Sequence, residues 1–223
     1  MVIAIGFTGC LKEDMDTIAL PVGKIPQNVI PDDIRNRLEN YIDIYEGDNP
    51  PDITGEYIVY PNMLVYDSEN SWDYEYMGAT QLLSFKKQTS SGEVTYMELD
   101  VFNNGYSLID ETEMHVVGSG NNLTAYMITE TKASDNSGNI TSSSKKAVII
   151  SGTVTEAGIK NFQYAFVMLD KYDPNNTLMD INEYRVFKDG DGVAERYEWT
   201  NMLYEEKKQM PICTGNSLTY KMK

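Results

Sequence analysis

The chain has 223 residues, of which 34 are acidic and 18 basic, so its formal net charge is −16. A surface with that excess of negative charge repels phosphate backbones and anionic lipid head groups, which argues against nucleic acid as a partner. Only two cysteines are present, so neither a disulfide framework nor a cysteine-rich metal site is predicted.

The first ten residues, MVIAIGFTGC, have two interpretations. They are either a buried strand that runs into a glycine turn or the apolar end of a secretory signal. A nucleotide-binding strand needs a phosphate loop or a G-x-G-x-x-G run, and residues 10–14 supply neither. Residues 7–10, Phe-Thr-Gly-Cys, resemble a bacterial lipobox, in which the cysteine is lipidated and becomes the mature N-terminus. We therefore predict a signal remnant at 1–9 and a lipid anchor to the membrane at Cys10.

The charged residues after the cysteine predict a location. Lys12, Glu13 and Asp14 resemble the export signal that carries lipoproteins of the Bacteroidetes type to the outer face of the outer membrane. That resemblance implies a lipid-anchored protein that faces the cell exterior. The alternative is a solvated, charged start to a linker. Residues 10–30 contain few periodic apolar positions and are predicted to form a tether.

One helix is predicted at the start of the domain that spans residues 31–223. Pro31 suits the first turn, and two aspartates follow it at the positive end of the helix. The apolar residues Ile34, Leu38, Tyr41 and Ile42 then recur at helical spacing over about three turns. This stripe predicts a helix that packs against a larger body.

From residue 53 the sequence indicates about eight strands joined by short turns. The strand-like segments are ITGEYIVY, TQLLSFKKQ, VTYMELDVF, EMHVV, LTAYMITET, KKAVIISGTVT, IKNFQYAFVML and NEYRVFKD. Since no helices alternate with them, the fold class is all-β and the sheet antiparallel. Closing the meander into a barrel would remove exposed sheet edges. A β-sandwich is the alternative.

One corner of the chain resembles a known family. Residues 53–57, Ile-Thr-Gly-Glu-Tyr, follow the predicted helix and open the first long strand with a G-x-aromatic pattern. This is similar to the G-x-W pattern of lipocalin-like (calycin) barrels, with Tyr57 in place of the tryptophan. The order of lipobox, linker, helix and meander is also similar to that of Bacteroidetes lipoproteins of this size. The resemblance implies a barrel and a location, but no reaction.

The sequence offers little for nucleophilic catalysis. His115 is the only histidine, and its neighbours Met114 and Val116 are predicted to face the barrel interior, which leaves His115 outside. Cys213 lies in a polar C-terminal segment with no partner in the sequence. Some pairs of carboxylates are expected among 34 acidic residues, but the sequence does not show whether two of them face each other as a glycoside hydrolase requires. We predict that the protein is not an enzyme.

A turn rich in aspartate and glycine is the metal candidate. Asp189 and Asp191 alternate with two glycines, and Glu195 follows. Carboxylates in this pattern can bind a hard cation such as Ca²⁺. The alternative, which we favour, is a tight turn without a cofactor, whose glycines supply positive φ.

A row of rings is the ligand candidate. Trp72, Tyr74 and Tyr76 alternate with two acids, so an extended backbone would stack three rings on one face. Rings beside carboxylates suit sugar recognition, although rings also pack in cores. The function predicted is therefore a non-catalytic barrel that binds a glycan or a small apolar ligand. A structural or adhesive envelope protein and a carboxylate-pair glycoside hydrolase are the alternatives.

Overall fold

A computed structural model describes residues 23–72, 78–102, 105–134, 137–199 and 218–220 of the chain. Its elements in chain order are α1 (Asp32–Leu38), β1 (Asp48–Asn49), β2 (Gly55–Val59), β3 (Asn62–Asp67), β4 (Thr80–Lys86), β5 (Glu93–Phe102), β6 (Gly105–Ser119), β7 (Asn122–Ser134), β8 (Ile140–Val154), β9 (Gly158–Tyr172), β10 (Tyr184–Asp189), β11 (Val193–Arg196) and β12 (Leu218–Tyr220). Within these ranges, no helix has the length and hydropathy that crossing a membrane requires.

Eight strands close into an antiparallel barrel, which confirms the predicted fold class. Pairing runs from β2 through β4, β5, β6, β7, β8 and β9 to β11, and β11 also pairs with β2. Beside β11, β10 pairs with the same strand β9 and with β3, so β3 and β10 extend this wall of the barrel. From β4 to β9, consecutive strands are neighbours because short turns link them, as the segment spacing predicted.

The helix and the residues before it pack on the outside of the barrel. Ile34 and Leu38 of α1 are buried, and so is Ile42 beyond its end. They contact outward-facing residues of β8 and β9, among them Ile149 and Val167. The apolar stripe is therefore buried as predicted, although α1 ends at Leu38, earlier than the periodicity indicated.

The packed region begins before the predicted domain boundary at residue 31. Ile25, Val29 and Ile30 are buried in the same outer cluster as the helix. They supply apolar area that covers the barrel wall, and removing such area from water stabilises the fold. The part of the predicted tether from residue 23 onward thus belongs to the packed domain, and residues 10–22 lie outside the described residues.

The barrel interior has a closed half and an open half. The closed half is filled by inward-facing apolar and aromatic side chains, including Tyr57, Phe85, Met114, Val116 and Phe162. Further along the same strands the inward-facing residues become polar, and the interior opens into a cavity. The candidate site therefore lies in the half of the barrel whose inward-facing residues are polar.

Candidate functional site in the open half of the barrel

The open half of the barrel contains a cavity of about 220 Å³. A cavity of about 150 Å³ in another protein binds benzene, whereas drug-sized ligands occupy about 300–1,000 Å³. The space therefore suits a molecule with one ring. Its polar lining residues include Asn62, Gln81, Glu98, Asp100, Lys146 and Tyr164, together with Thr129 and Thr131, and its aromatic lining residues also include Trp72, Phe102, Phe166 and Phe187.

Glu98 is the centre of the polar floor of this cavity. The side chain is 2% exposed, and three neighbours donate hydrogen bonds to its carboxylate. The Tyr96 hydroxyl donates to Oε2 at 2.5 Å, Gln81 Nε2 donates to Oε1 at 3.2 Å, and the Tyr164 hydroxyl donates to Oε1 at 3.5 Å. A buried carboxyl group is tolerated only when such partners replace water.

A second carboxyl group, that of Asp100, lies on the same inward face of β5 and is hydrogen-bonded to Glu98. Burial raises the pKa of Glu98, although the hydrogen bonds from Tyr96 and other partners oppose the rise. Burial and the charge of Glu98 raise the pKa of Asp100 well above its usual range. Two like charges this close do not both ionise readily, so the pair favours sharing one proton.

Lys146 lies opposite the acidic pair and supplies the positive charge of the cavity. Burial lowers the pKa of this lysine, and the charge of Glu98 opposes the shift. Its Nζ also lies 5.1 Å from the ring centroid of Phe166. One basic group therefore faces two carboxyl groups whose burial favours their neutral forms, so the charges of the floor partly offset one another.

Two amide oxygens of the cavity have no hydrogen-bond partner among the described residues. Asn62 and Gln81 are each 4% exposed, and their Oδ1 and Oε1 atoms accept no hydrogen bond, nor does Asp100 Oδ1. The amide nitrogens are engaged, since Asn62 Nδ2 donates to the Ala79 carbonyl at 3.3 Å and Gln81 Nε2 donates to Glu98. Both amide oxygens therefore belong to buried side chains that line the cavity.

The mouth of the cavity carries Trp72, the described member of the predicted ring row. Its side chain is 38% exposed and contacts Phe187 edge to face, with the ring centroids 6.3 Å apart. The guanidinium carbon of Arg185 lies 4.1 Å from the Trp72 ring centroid. Asp67 holds both partners, because its carboxylate accepts the Trp72 backbone N–H at 3.0 Å and pairs with Arg185. Tyr74 and Tyr76 lie outside the described residues.

The predicted calcium residues lie elsewhere, at the junction between β10 and β11. Asp189 is buried, and its Oδ1 accepts backbone N–H groups from residues 191, 192 and 193 at 3.0–3.2 Å. Its Oδ2 accepts the N–H of Tyr60 at 3.0 Å. Burial and the neighbouring Asp191 raise the pKa of Asp189 to about 6. Glu195 is exposed on β11. Calcium binding here stays a prediction.

His115 lies on the outside of the barrel, as predicted, while Met114 and Val116 are buried inside. Its ring stacks on Tyr126 with the centroids 5.8 Å apart. Together with the exposed Glu93 and Glu113, it forms the one described group of three or more potential metal ligands whose atoms lie within 4.8 Å of one another. Surface carboxylates commonly gather in this way without a metal, so the group defines no site.

Other predicted residues cannot be placed. Cys10, Lys12, Glu13, Asp14 and Cys213 all lie outside the described residues. The lipid anchor and the export signal therefore stay predictions.

The cavity floor was missed by the sequence analysis, and the reason is specific to β5. In VTYMELDVF, the polar positions 98 and 100 alternate with apolar residues, which is the usual pattern of a strand with its polar face in water. Here the apolar face, Met97 and Leu99, points outward and is covered by Trp199. Trp199 is 1% exposed and donates its indole N–H to the Leu83 carbonyl at 2.9 Å. An outer cover contributed by residues about 100 positions away leaves no local signal.

Comparison of the chain with protein-family models, with curated proteins and with solved structures gives no match. The class of protein is therefore defined by architecture and site alone. It is a closed eight-stranded barrel with one filled half and one open, polar half.

Proposed function

We propose that this protein is a lipid-anchored surface protein whose barrel binds one small organic ligand without transforming it. The observation that carries the proposal is the cavity, which is walled by rings, floored by buried polar groups and open at Trp72. Convergent polar groups with perturbed pKa values in an otherwise apolar concavity are typical of binding sites. The predicted lipid anchor at Cys10 would hold this barrel at the outer membrane, facing the exterior.

The buried polar floor argues for a ligand because it stabilises the fold poorly. Burial of two carboxyl groups opposes ionisation, and the side-chain oxygens of Asn62 and Gln81 have no hydrogen-bond partner among the described residues. An apolar core of the same volume would avoid both costs. A filled interior would have favoured the alternative of an adhesive or structural protein, whereas the open half favours binding.

Acid-pair hydrolysis is the second candidate, since Glu98 and Asp100 both line the cavity. The carboxyl groups of glycoside hydrolases are about 5–5.5 Å or 6.5–9.5 Å apart and flank the bond that breaks. Glu98 and Asp100 are instead hydrogen-bonded to each other on one strand. Chromogenic aryl glycosides should therefore give no turnover above buffer. Turnover that Glu98→Gln abolishes would replace binding by hydrolysis as the function.

The binding proposal is tested by filling the cavity. Thr129 lines it from β7, so Thr129→Phe should occupy the space that a ligand needs. A panel of small neutral, cationic, anionic and apolar ring compounds is screened by thermal shift, because a bound ligand raises the melting temperature. Thr95→Phe is the matched control, since Thr95 lies between the inward-facing Val94 and Tyr96 and so faces outward.

The expected result is a shift that Thr129→Phe abolishes and Thr95→Phe preserves. Shifts that both variants preserve would place binding outside the barrel. No shift with any class would refute the binding proposal.

A further inference from the structure

We propose that the ligand of this cavity is a neutral, polyhydroxylated ring of monosaccharide size, either free or as the terminal unit of a glycan. This inference rests on the proposed function and adds the chemical class of the ligand. Three properties of the cavity support it: an excess of acceptor atoms, charges that partly offset one another and ring-lined walls.

The excess of acceptors calls for a ligand with several donor groups. Asn62 Oδ1, Gln81 Oε1 and Asp100 Oδ1 are buried without a hydrogen-bond partner among the described residues. Donors for these acceptors must therefore come from outside the described residues, and the hydroxyl groups of a ligand provide them.

The charges of the cavity disfavour ionic ligands. A cationic amine would meet Lys146, and an anion would meet Glu98 and Asp100. Lys146 also offers donors, so the ligand needs acceptor capacity as well. A hydroxyl group both donates and accepts, which matches the acceptors and donors of side chains that line the same cavity.

The walls and the size indicate a single ring. The rings of Phe166 and Phe187 are stacked with their centroids 6.2 Å apart, and Trp72 contacts Phe187 at the mouth. Such faces pack against the C–H groups of a saturated ring while its hydroxyls reach the floor. A volume of about 220 Å³ admits one ring, so a longer glycan would insert only its terminal unit.

The experiment is isothermal titration calorimetry of the full chain with four classes of probe: neutral polyols, a cationic ring (benzylamine), an anionic ring (benzoate) and a weakly polar ring (cyclohexane methanol). The neutral polyols are glucose, galactose, mannose, N-acetylglucosamine and myo-inositol. A glycan array whose glycans have blocked reducing ends then distinguishes binding of a terminal glycan unit from binding of a free sugar.

At least one polyol or terminal glycan unit should bind, and the dissociation constant should rise at least tenfold in Gln81→Leu, which removes an unpartnered acceptor. Lys146→Met provides a second test of the floor with the same expectation, and circular dichroism confirms that each variant is folded. Gln27→Leu is the matched control, because Gln27 is exposed outside the barrel.

Three contradicting outcomes are distinguishable. Binding of benzylamine, benzoate or cyclohexane methanol alone, abolished by Thr129→Phe, would preserve the binding function and overturn the ligand class. If the parent, Gln81→Leu and Lys146→Met bind the polyol with equal dissociation constants, the polar floor of the cavity does not bind the ligand. Absence of binding in all four classes and on the array would overturn both proposals.

Discussion

Glu98 and Asp100 project from one strand into the same cavity and are hydrogen-bonded to each other, with Glu98 almost fully buried. Two acids in this position make the folded state hold protons that the unfolded chain releases. This relationship links the candidate site to the stability of the whole barrel.

The first prediction concerns pH. The pKa values of Glu98 and Asp100 are raised in the folded protein above the ordinary 4.5 and 3.8. The folded state therefore binds more protons, and its free energy of unfolding should fall as pH rises from about 4 through the raised pKa values. Asp100→Asn removes one of the acids. The melting temperature of this variant relative to the parent should consequently increase between pH 4 and pH 8.

The control for this prediction is Asp48→Asn, because Asp48 is exposed. Its difference from the parent should stay constant across the same pH range. If the difference in melting temperature between Asp100→Asn and the parent is also constant across this pH range, the carboxyl pair does not share a proton in the folded state.

The second prediction contrasts the two tryptophans of the chain. Trp72 is 38% exposed at the mouth of the cavity, whereas Trp199 is 1% exposed where it packs against the outside of the barrel. Trp72→Ala should cost about 1 kcal/mol, from the lost contact with Arg185. Trp199→Ala should cost about 3–5 kcal/mol because it leaves a cavity. Urea denaturation measures both, and equal costs would contradict the assigned burial.

The same pair reports ligand binding. In Trp199→Phe the remaining fluorescence comes from Trp72, and a ligand in the cavity should change it. In Trp72→Phe the same ligand should leave the signal of Trp199 unchanged. A response confined to Trp199 would place the ligand outside the open half of the barrel.

The third prediction concerns the turn at Asp189. Asp189→Ala should destabilise the protein by at least about 2 kcal/mol, because the backbone N–H groups of Tyr60, Asp191 and Gly192 lose their acceptor. Chemical denaturation measures the loss. A cost below about 0.5 kcal/mol, as for an ordinary surface change, would show that water replaces the carboxylate.

Calcium binding at this turn has its own test. If Asp189, Asp191 and Glu195 bind the cation, millimolar calcium should raise the melting temperature, and Asp191→Asn should abolish the rise. Magnesium at equal concentration controls for ionic strength. An unchanged melting temperature would leave the segment as a turn without a cofactor.

The fourth prediction concerns the anchor. Expression of the full-length precursor in a lipoprotein-processing bacterium should yield a chain that begins at acylated Cys10, as read by mass spectrometry. Cys10→Ala should abolish the modification, and an unmodified parent chain with its apolar N-terminus retained would refute the anchor.

Surface exposure is tested separately from the lipid. Neutral replacements of Lys12, Glu13 and Asp14 should retain the acyl group but protect the protein from protease added to intact cells. Equal cleavage of the parent and this variant would remove the export signal from the interpretation.

Much of the fold was predictable because its information is local. The segment from Val94 to Phe102 reads as a strand from its β-branched and aromatic residues, and residues 118–122 read as a turn. The burial of Ile34 and Leu38 likewise follows from helical spacing. Because short turns join these strands, strands that follow one another in the chain are expected to pair.

The sequence by itself thus indicated seven of the eight barrel strands, their order and the apolar stripe of the helix. The eighth predicted segment is β10, whereas β3 and the closing strand β11 were missed. Which face of β5 points inward was decided only by the tertiary structure, because strand alternation defines two faces without saying which one is covered. Trp199 covers Met97 and Leu99 on the outside, and closure of the barrel then turns Glu98 and Asp100 into a cavity with Lys146. Contacts between residues so distant in the chain carry no signature in the local pattern.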